Sequence, residues 1–333
     1  MTDQAPESQR LESLARAIRE GDRRALSRAI TLVESVREDH RHSANTLLEH
    51  LMGAAGDAIR IGVSGAPGVG KSTFIDALGC LLCEDNHRVA VLTVDPSSAI
   101  SGGSILGDKT RMEALARQPN AYIRPSPAGA TLGGVALRSR ECLLLCEAAG
   151  YDVVIVETVG VGQSETRVAD MTDTFVLLLQ PGSGDELQGI KRGIMELADL
   201  VLVNKADDEM VSLAERSAAD YRNALHLIQA RTPGWKVEVQ TCSARDGTGL
   251  ESAWNAVLEH RKALDETGEL QRVRAEQAHH WMWTELLEQL QADLRNDKEI
   301  KKLLPGIETA VREERLPTAV AAAQLLEAYR RRD

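Results

Sequence analysis

The octapeptide Gly65-Ala66-Pro67-Gly68-Val69-Gly70-Lys71-Ser72 carries the most specific chemistry in the chain. It follows the apolar run AIRIGVS and opens STFIDALGCLL, so it matches G-x-x-x-x-G-K-[ST] at a strand-to-helix junction. There the glycines let backbone N–H groups turn inward around phosphates. Lys71 bridges β- and γ-phosphates, the Ser72 hydroxyl ligates Mg²⁺, and the helix N-terminus adds positive potential. Thr73 closes this nucleotide-contacting stretch.

The base is selected downstream. Asn204-Lys205-Ala206-Asp207 ends the run ADLVLV. A carboxylate at Asp207 accepts both N1–H and the 2-amino group of guanine, and adenine offers neither there. Ser243 and Ala244 end the next apolar run and are placed to give a backbone N–H to guanine O6, with Arg245 beside them. Adenine would set a donor against that N–H, and sites built on such pairing reject the wrong ligand by roughly 10⁴-fold. In this order after a phosphate loop, the motifs select GTP over ATP.

Phosphate-sensing segments lie between. Asp95 ends VAVLTVD, where it reads either as a metal-site acid or as a helix cap in the DPSS turn. Asp108 lies in SGGSILGDKTR, where a first switch is expected, and it reads equally as a solvated loop acid. The peptide ETVGVGQSE follows YDVVIV, and its Gly160 can offer an N–H to the γ-phosphate. Glu157 stands where most GTPases have Asp. One methylene longer, it still reaches a water in the shell of Mg²⁺, a cation that usually keeps several waters. Val161 occupies the place of a glutamine that orients the attacking water, and Gln163 lies two residues further on. Slow intrinsic hydrolysis, raised by a partner, is the expectation.

Apolar patterning supplies the elements that must hold these residues. Leu11, Leu14, Ala15, Ile18, then Leu26, Ala29, Ile30 and Val33 recur at helical spacing, broken at Gly21-Asp22, where Asp22 can cap the second helix. Two or three helices therefore precede the main domain. From residue 58, six runs apolar on successive residues suit strands covered on both faces: AIRIGVSG, VAVLTVD, YDVVIVET, DTFVLLLQP, ADLVLVNKAD and KVEVQTCSA. The expected fold is α/β, a P-loop GTPase domain with a mostly parallel sheet at 57–262, flanked by a helical extension at 1–56 and a helical arm at 263–333. In the arm, Trp283, Leu286, Leu287, Leu290 and Leu294 share a helical stripe that needs a surface, its own domain or a second copy of the chain. His279 and His280 are adjacent, about 100° apart on a helix, which disfavours a shared metal.

Bulk properties narrow the class. The 333 residues are 43% hydrophobic but only 3% aromatic, so Leu, Val, Ile and Ala must build the core. A net charge of −11 argues against a phosphate-backbone binder and against a polybasic membrane anchor, so neither nucleic acid nor membrane is an expected partner. No run approaches the roughly 18 apolar residues of a membrane span, the start has no apolar secretory segment, and the cytoplasm is the default location. Cys80 and Cys83 have CxxC spacing but fall within a helix interior, as do Cys142 and Cys146, and all four read as small core residues.

With the DPSS turn, GGSILGDKTRM, RPSPAGATLGGVA, ETVGVGQSE and PGSGDELQGIKRGI, the chain closely resembles the MeaB/ArgK-type family of GTPase chaperones of adenosylcobalamin-dependent methylmalonyl-CoA mutase. The resemblance runs from ARAIRE through NKADD into the WMW helix and weakens after about residue 290. It implies a homodimer built through the C-terminal arm. It also implies binding to the mutase, with GTP gating delivery of adenosylcobalamin from its cob(I)alamin adenosyltransferase and protection or reactivation of the mutase. On matching positions it implies that Lys71, Ser72, Asp95, Asp108 and Glu157 serve phosphate and Mg²⁺. Asn204, Lys205, Asp207, Ser243 and Ala244 would serve guanine. Pro181–Lys191 matches a further switch, with Gln188 and Lys191 as its test positions. Two other readings stand beside this one. A kinase of amino-acid transport would need ATP and an acceptor-site base. A nickel metallochaperone GTPase typically has a Cys/His cluster near its N-terminus, and the first 50 residues contain no cysteine.

Overall fold

The computed structural model describes residues 7–35, 37–94, 111–125, 132–158, 164–182, 192–226 and 231–331. Seven strands form one parallel sheet: β1 (Ile59–Gly65), β2 (Val89–Val94), β3 (Ala121–Arg124), β4 (Val153–Thr158), β5 (Thr174–Leu179), β6 (Leu200–Val203) and β7 (Glu238–Thr241), in the order β3-β2-β4-β1-β5-β6-β7. Six match the apolar runs. The seventh, β3, is four residues between Pro119 and Pro125 at a sheet edge, too short to give a recognisable run. The sheet is wholly parallel, which the consecutive apolar residues require: β5 sends Val176 and Leu178 into one buried cluster and Leu177 and Leu179 into another. Helices Lys71–Glu84 and Leu250–Glu266 contribute Phe74, Ile75, Leu78, Trp254 and Val257 to the first cluster, and helix Val211–Leu225 contributes Ala214, Ala218 and Tyr221 to the second.

Parallel strands all end on one edge of the sheet. The loops after β1, β4, β6 and β7 therefore converge there, beside the central β1 where the strand order reverses, the usual place for a ligand in such sheets.

Among the described residues, three helices precede β1: Glu7–Arg19, Arg23–Val33 and Glu38–Leu51. Asp22 caps the second as expected, its Oδ1 accepting from the N–H groups of Arg24 (2.7 Å) and Ala25 (3.1 Å). These helices meet the sheet at its β3 edge. Glu34 pairs with Arg124, and the Ser27 and Tyr122 hydroxyls lie 3.2 Å apart. Cys83, Cys142 and Cys146 are buried and Cys80 half-buried, all as free thiols.

The starts of the central strands β1 and β5 are tied by buried charge. Arg60 at the start of β1 donates Nε to Glu147 Oε1 (2.6 Å) and Nη2 to Oε2 (2.9 Å), with side chains 9% and 1% exposed. Asp173, just before β5, accepts from the Arg60 backbone N–H (3.1 Å) and from Arg274 Nε and Nη2 (2.8 and 2.6 Å). Removing one partner of a buried bidentate pair leaves the other charge desolvated. Glu147→Ala is therefore expected to destabilise the protein by about 3–5 kcal/mol, read as a fall in the urea midpoint. A change below about 1 kcal/mol would mean that Arg60 finds solvent.

The chain divides into two compact units, Met1–Gln277 and Ala278–Asp333. In the second, helices Lys298–Arg312 and Thr318–Arg330 pack together, and Asp297 caps the first of them with 2.8 Å hydrogen bonds from the N–H groups of Glu299 and Ile300. Four of the five stripe residues are exposed, with Trp283 at 49%, Leu286 at 41%, Leu287 at 61% and Leu290 at 47%, while Leu294 is half-buried. Among the described residues, no helix is long and apolar enough to cross a membrane.

Candidate functional site

The phosphate loop leaves β1 at Gly65 and enters helix Lys71–Glu84 directly. Two of its glycines are obligatory. Gly65 has φ +153°, and a Cβ there would lie 2.4 Å from the Leu178 carbonyl oxygen. Gly70 has φ +96°, and its Cβ would meet Asn204 Nδ2 at 2.7 Å. Between them Pro67 and Gly68 are exposed, Ala66 is half-buried and Val69 is buried, so the loop arches outward at its middle and is anchored in the core at Val69. Lys71 is buried, and its ammonium donates to the carbonyls of Gly65 (2.7 Å) and Ala66 (3.2 Å). Burial lowers the Lys71 pKa. Glu157 and Glu165 oppose that shift, and Arg111 adds slightly to it.

Ser72 and Glu157, 85 residues apart, meet here: the Ser72 hydroxyl donates to Glu157 Oε1 at 2.9 Å. Glu157 is 4% exposed near the end of β4, in register with Val63 of β1 and Thr93 of β2. Below it Thr158 Oγ1 donates to Ser64 Oγ at 2.9 Å, stitching β4 to β1 under the loop. A hydroxyl and a carboxylate side by side form an all-oxygen donor set, which suits a small hard cation such as Mg²⁺. Thr73, next along the helix, is exposed.

Asn204 works as a strap rather than as a simple base contact. Its Nδ2 donates to the Val69 carbonyl of the phosphate loop (2.9 Å), and its Oδ1 accepts from the Ala244 N–H (3.0 Å). It thereby locks the loop after β1 to the loop after β7. Lys205 follows with φ +61°, a left-handed conformation unusual for a side-chain-bearing residue, and it turns the chain toward Asp207. Asp207 is oriented from both sides. Its Oδ2 accepts from Ser243 Oγ (2.7 Å), and Arg245 Nη2 lies 3.4 Å from its Oδ1. Arg245 is exposed and also pairs with Asp208 and Asp246 at 2.8 Å each. The sequence assigned the Ala244 N–H to guanine O6, whereas in the structure Asn204 holds it. An incoming O6 would share or displace that bond.

Thus Gly65, Ala66, Pro67, Gly68, Val69, Gly70, Lys71, Ser72, Thr73 and Glu157 gather around one loop. Asn204, Lys205, Asp207, Ser243, Ala244 and Arg245 gather beside it. Asp95, Asp108, Gly160, Val161, Gln163, Gln188 and Lys191 lie outside the described residues. Sequence reasoning missed Glu165, which is 1% exposed in helix Ser164–Ala169. It also missed the Ser64–Thr158 bridge. The only signal for Glu165 was its place at the close of ETVGVGQSE, and nothing local signals the hydroxyl pair.

Known proteins resemble this chain over nearly its full length. The family model described as "Methylmalonyl Co-A mutase-associated GTPase MeaB" matches residues 26–299. A Caulobacter vibrioides protein described as a GTPase is 55% identical over 319 residues, covering 96% of this chain and 98% of that protein. The mouse protein named "Methylmalonic aciduria type A homolog, mitochondrial" is 45% identical over 94% of this chain and 78% of its own length. A solved structure titled "Crystal structure of LAO/AO transport system kinase" superposes with a TM-score of 0.75 at 38% identity, covering 96% of this chain and 97% of that one.

Proposed function

The chain belongs to the MeaB family of methylmalonyl-CoA mutase-associated GTPases, and from that premise we propose that it is a guanine-nucleotide-gated chaperone of an adenosylcobalamin-dependent acyl-CoA mutase. The observation that carries the nucleotide reading is the Asn204 strap, which ties the phosphate loop to the loop after β7, where Ser243 holds the Asp207 carboxylate. In this reading the P-loop N–H groups and Lys71 hold the β- and γ-phosphates, with the ammonium exchanging the carbonyls of Gly65 and Ala66 for phosphate oxygens. Ser72 and Glu157, with Asp95 and Asp108, would hold Mg²⁺, which supplies charge neutralisation between the β- and γ-phosphates. Asp207 reads the guanine edge, kept in place by Ser243 and Arg245.

Residues 57–262 form the nucleotide-binding domain in this proposal, with 1–56 and 263–333 as arms. The exposed stripe of Trp283, Leu286, Leu287 and Leu290 is an apolar face of the kind that a second copy would cover in a homodimer. Gln188 and Lys191 would couple the nucleotide state to the mutase, in the cytoplasm, and the adenosyltransferase would hand over cofactor to the complex. Of the other readings, the transport kinase requires ATP, which Asp207 disfavours.

With Val161 in the position of a water-orienting glutamine, GTP turnover by the isolated protein is expected to be slow. Co-purification with the host's adenosylcobalamin-dependent mutase, with GTPase rates measured in its presence and absence, tests the proposal. A stimulation of tenfold or more, about 1.4 kcal/mol of barrier, is expected. No binding and no stimulation, or turnover of several per second by the protein alone, would count against it.

A further inference from the structure

The end of β4 is clamped from both faces of the sheet, and each clamp reaches a different end of the phosphate loop. Successive strand residues point to opposite faces. Glu157 faces helix Lys71–Glu84, where its Oε1 accepts from the Ser72 hydroxyl at 2.9 Å. Thr158 faces the other way, and its Oγ1 donates to Ser64 Oγ at 2.9 Å. Ser64 immediately precedes Gly65, so this second bond reaches the root of the loop.

Packing alone does not call for oxygen at this level of the sheet. Ser64 and Thr158 are wholly buried, and the same face of β4 carries the wholly buried Val154 and Val156. Valine has nearly the shape of threonine, whereas a buried hydroxyl costs free energy unless it is paired. The pair also has little room to shift. Thr158 lies in register with Val94 of β2 on its other side. Gly62, one pleat before Ser64, is so crowded that a Cβ there would lie 2.8 Å from both Val168 Cγ1 and Thr172 Oγ1. The two clamps differ in what they can do. Ser72 and Glu157 are the oxygen donors that suit a hard cation, so their mutual bond can be exchanged for metal. Ser64 and Thr158 are buried beneath the loop, and their bond does not depend on what the site holds.

We propose that Thr158 and Ser64 are positioning residues for GTP hydrolysis: their buried hydroxyl bond locks the end of β4 to the root of the phosphate loop and so sets the Glu157 carboxylate against Ser72 for Mg²⁺. The proposal rests on the guanine-nucleotide reading of the phosphate loop. Mg²⁺ demands near-ideal octahedral oxygen geometry. A glutamate has one more rotatable bond than an aspartate, so more freedom must be removed to hold its carboxylate in one place. Fixing the backbone on which Glu157 stands removes part of that freedom. A misplacement of about 1 Å in a supporting element can cost on the order of 100-fold in rate.

The test uses the full-length protein with fluorescent GDP and GTPγS, and Mg²⁺ as the titrant. Thr158→Val keeps the shape and removes the hydroxyl. It is expected to raise the Mg²⁺ concentration that half-saturates GTPγS binding about fivefold and to slow single-turnover hydrolysis about tenfold. GDP affinity without Mg²⁺ should stay within about twofold, because neither hydroxyl touches the base site or the metal donors directly. Thr158→Ser restores the hydroxyl and is expected to return the Mg²⁺ requirement and the rate to within about twofold of wild type. Ser64→Ala/Thr158→Val removes both partners and orphans neither, so it is the variant that keeps the fold if a single change does not. Its losses should be no larger than those of Thr158→Val alone, as two ends of one bond require. A Thr158→Val protein with an unchanged Mg²⁺ requirement and a rate within about twofold of wild type overturns the proposal, as does a loss that Thr158→Ser fails to recover. If wild type binds no guanine nucleotide, or binds GTPγS without regard to Mg²⁺, the underlying reading falls instead, and that control tells the two failures apart.

Discussion

Asp207→Asn is expected to weaken GTP binding by about 10³–10⁴-fold while raising affinity for xanthosine triphosphate. In the proposed reading the Asp207 carboxylate, acceptor-only, would face two donors on guanine, N1–H and the 2-amino group. An asparagine amide keeps one acceptor and turns the other position into a donor. Set against guanine, that donor opposes the 2-amino group and leaves a buried polar contact unmade. Xanthine carries a carbonyl at C2, so it accepts from the new N–H₂ and donates N1–H to the amide oxygen. The surroundings tolerate the exchange: Ser243 Oγ, 2.7 Å from Asp207 Oδ2, can donate or accept, and Arg245 keeps Asp208 and Asp246 as partners. Competition binding with GDP and XDP measures the switch directly. Equal losses for both would mean that Asp207 orders the loop rather than reads the base.

Lys71→Ala is expected to lower GTP hydrolysis by about 10²–10³-fold and to abolish nucleotide-dependent action on a mutase, with the fold intact. The buried ammonium is the charged group that donates to the loop carbonyls of Gly65 and Ala66, at 2.7 and 3.2 Å. The Ala66 carbonyl is only part-buried, beside the exposed Pro67-Gly68 stretch, and among the described residues the Lys71 side chain makes no hydrogen bond or ion pair beyond these two, so the fold should tolerate the change. Circular dichroism and size-exclusion chromatography should therefore match wild type, at a dimer's elution volume if the proposed homodimer forms. A monomeric Lys71→Ala protein would count against placing the subunit contacts in the C-terminal arm, since the lysine lies in the phosphate loop. Hydrolysis at the wild-type rate would remove Lys71 from the machinery.

Local motifs account for what was readable in advance. The phosphate loop, the Asn204–Asp207 stretch and the Ser243–Ala244 pair each act through consecutive residues, so their spacing along the chain is the signal. Strands apolar on every residue announced a parallel sheet, and the Asp22 cap announced the break between the first two helices. Strand β3 escaped because four edge residues between two prolines leave no periodicity to count. Glu165 escaped because its role depends on what its helix covers. The Ala244 N–H was assigned to guanine O6 on chemistry alone, since nothing in the primary structure could tell that Asn204 Oδ1 would hold it at 3.0 Å.

By itself the sequence determined the nucleotide class, the α/β sheet and the chain order of the motifs, because backbone conformation and hydrogen-bonding groups within a few residues suffice for each. Only the tertiary structure decided that Ser72 touches Glu157 across 85 residues, that Asn204 straps the phosphate loop to the loop after β7, and that the Leu115 N–H is held by Asp76 of the phosphate-loop helix. The physical reason is that these contacts depend on strand order and register. A parallel sheet whose order reverses at β1 brings separate strand ends to one edge, and no local pattern of residues encodes that convergence.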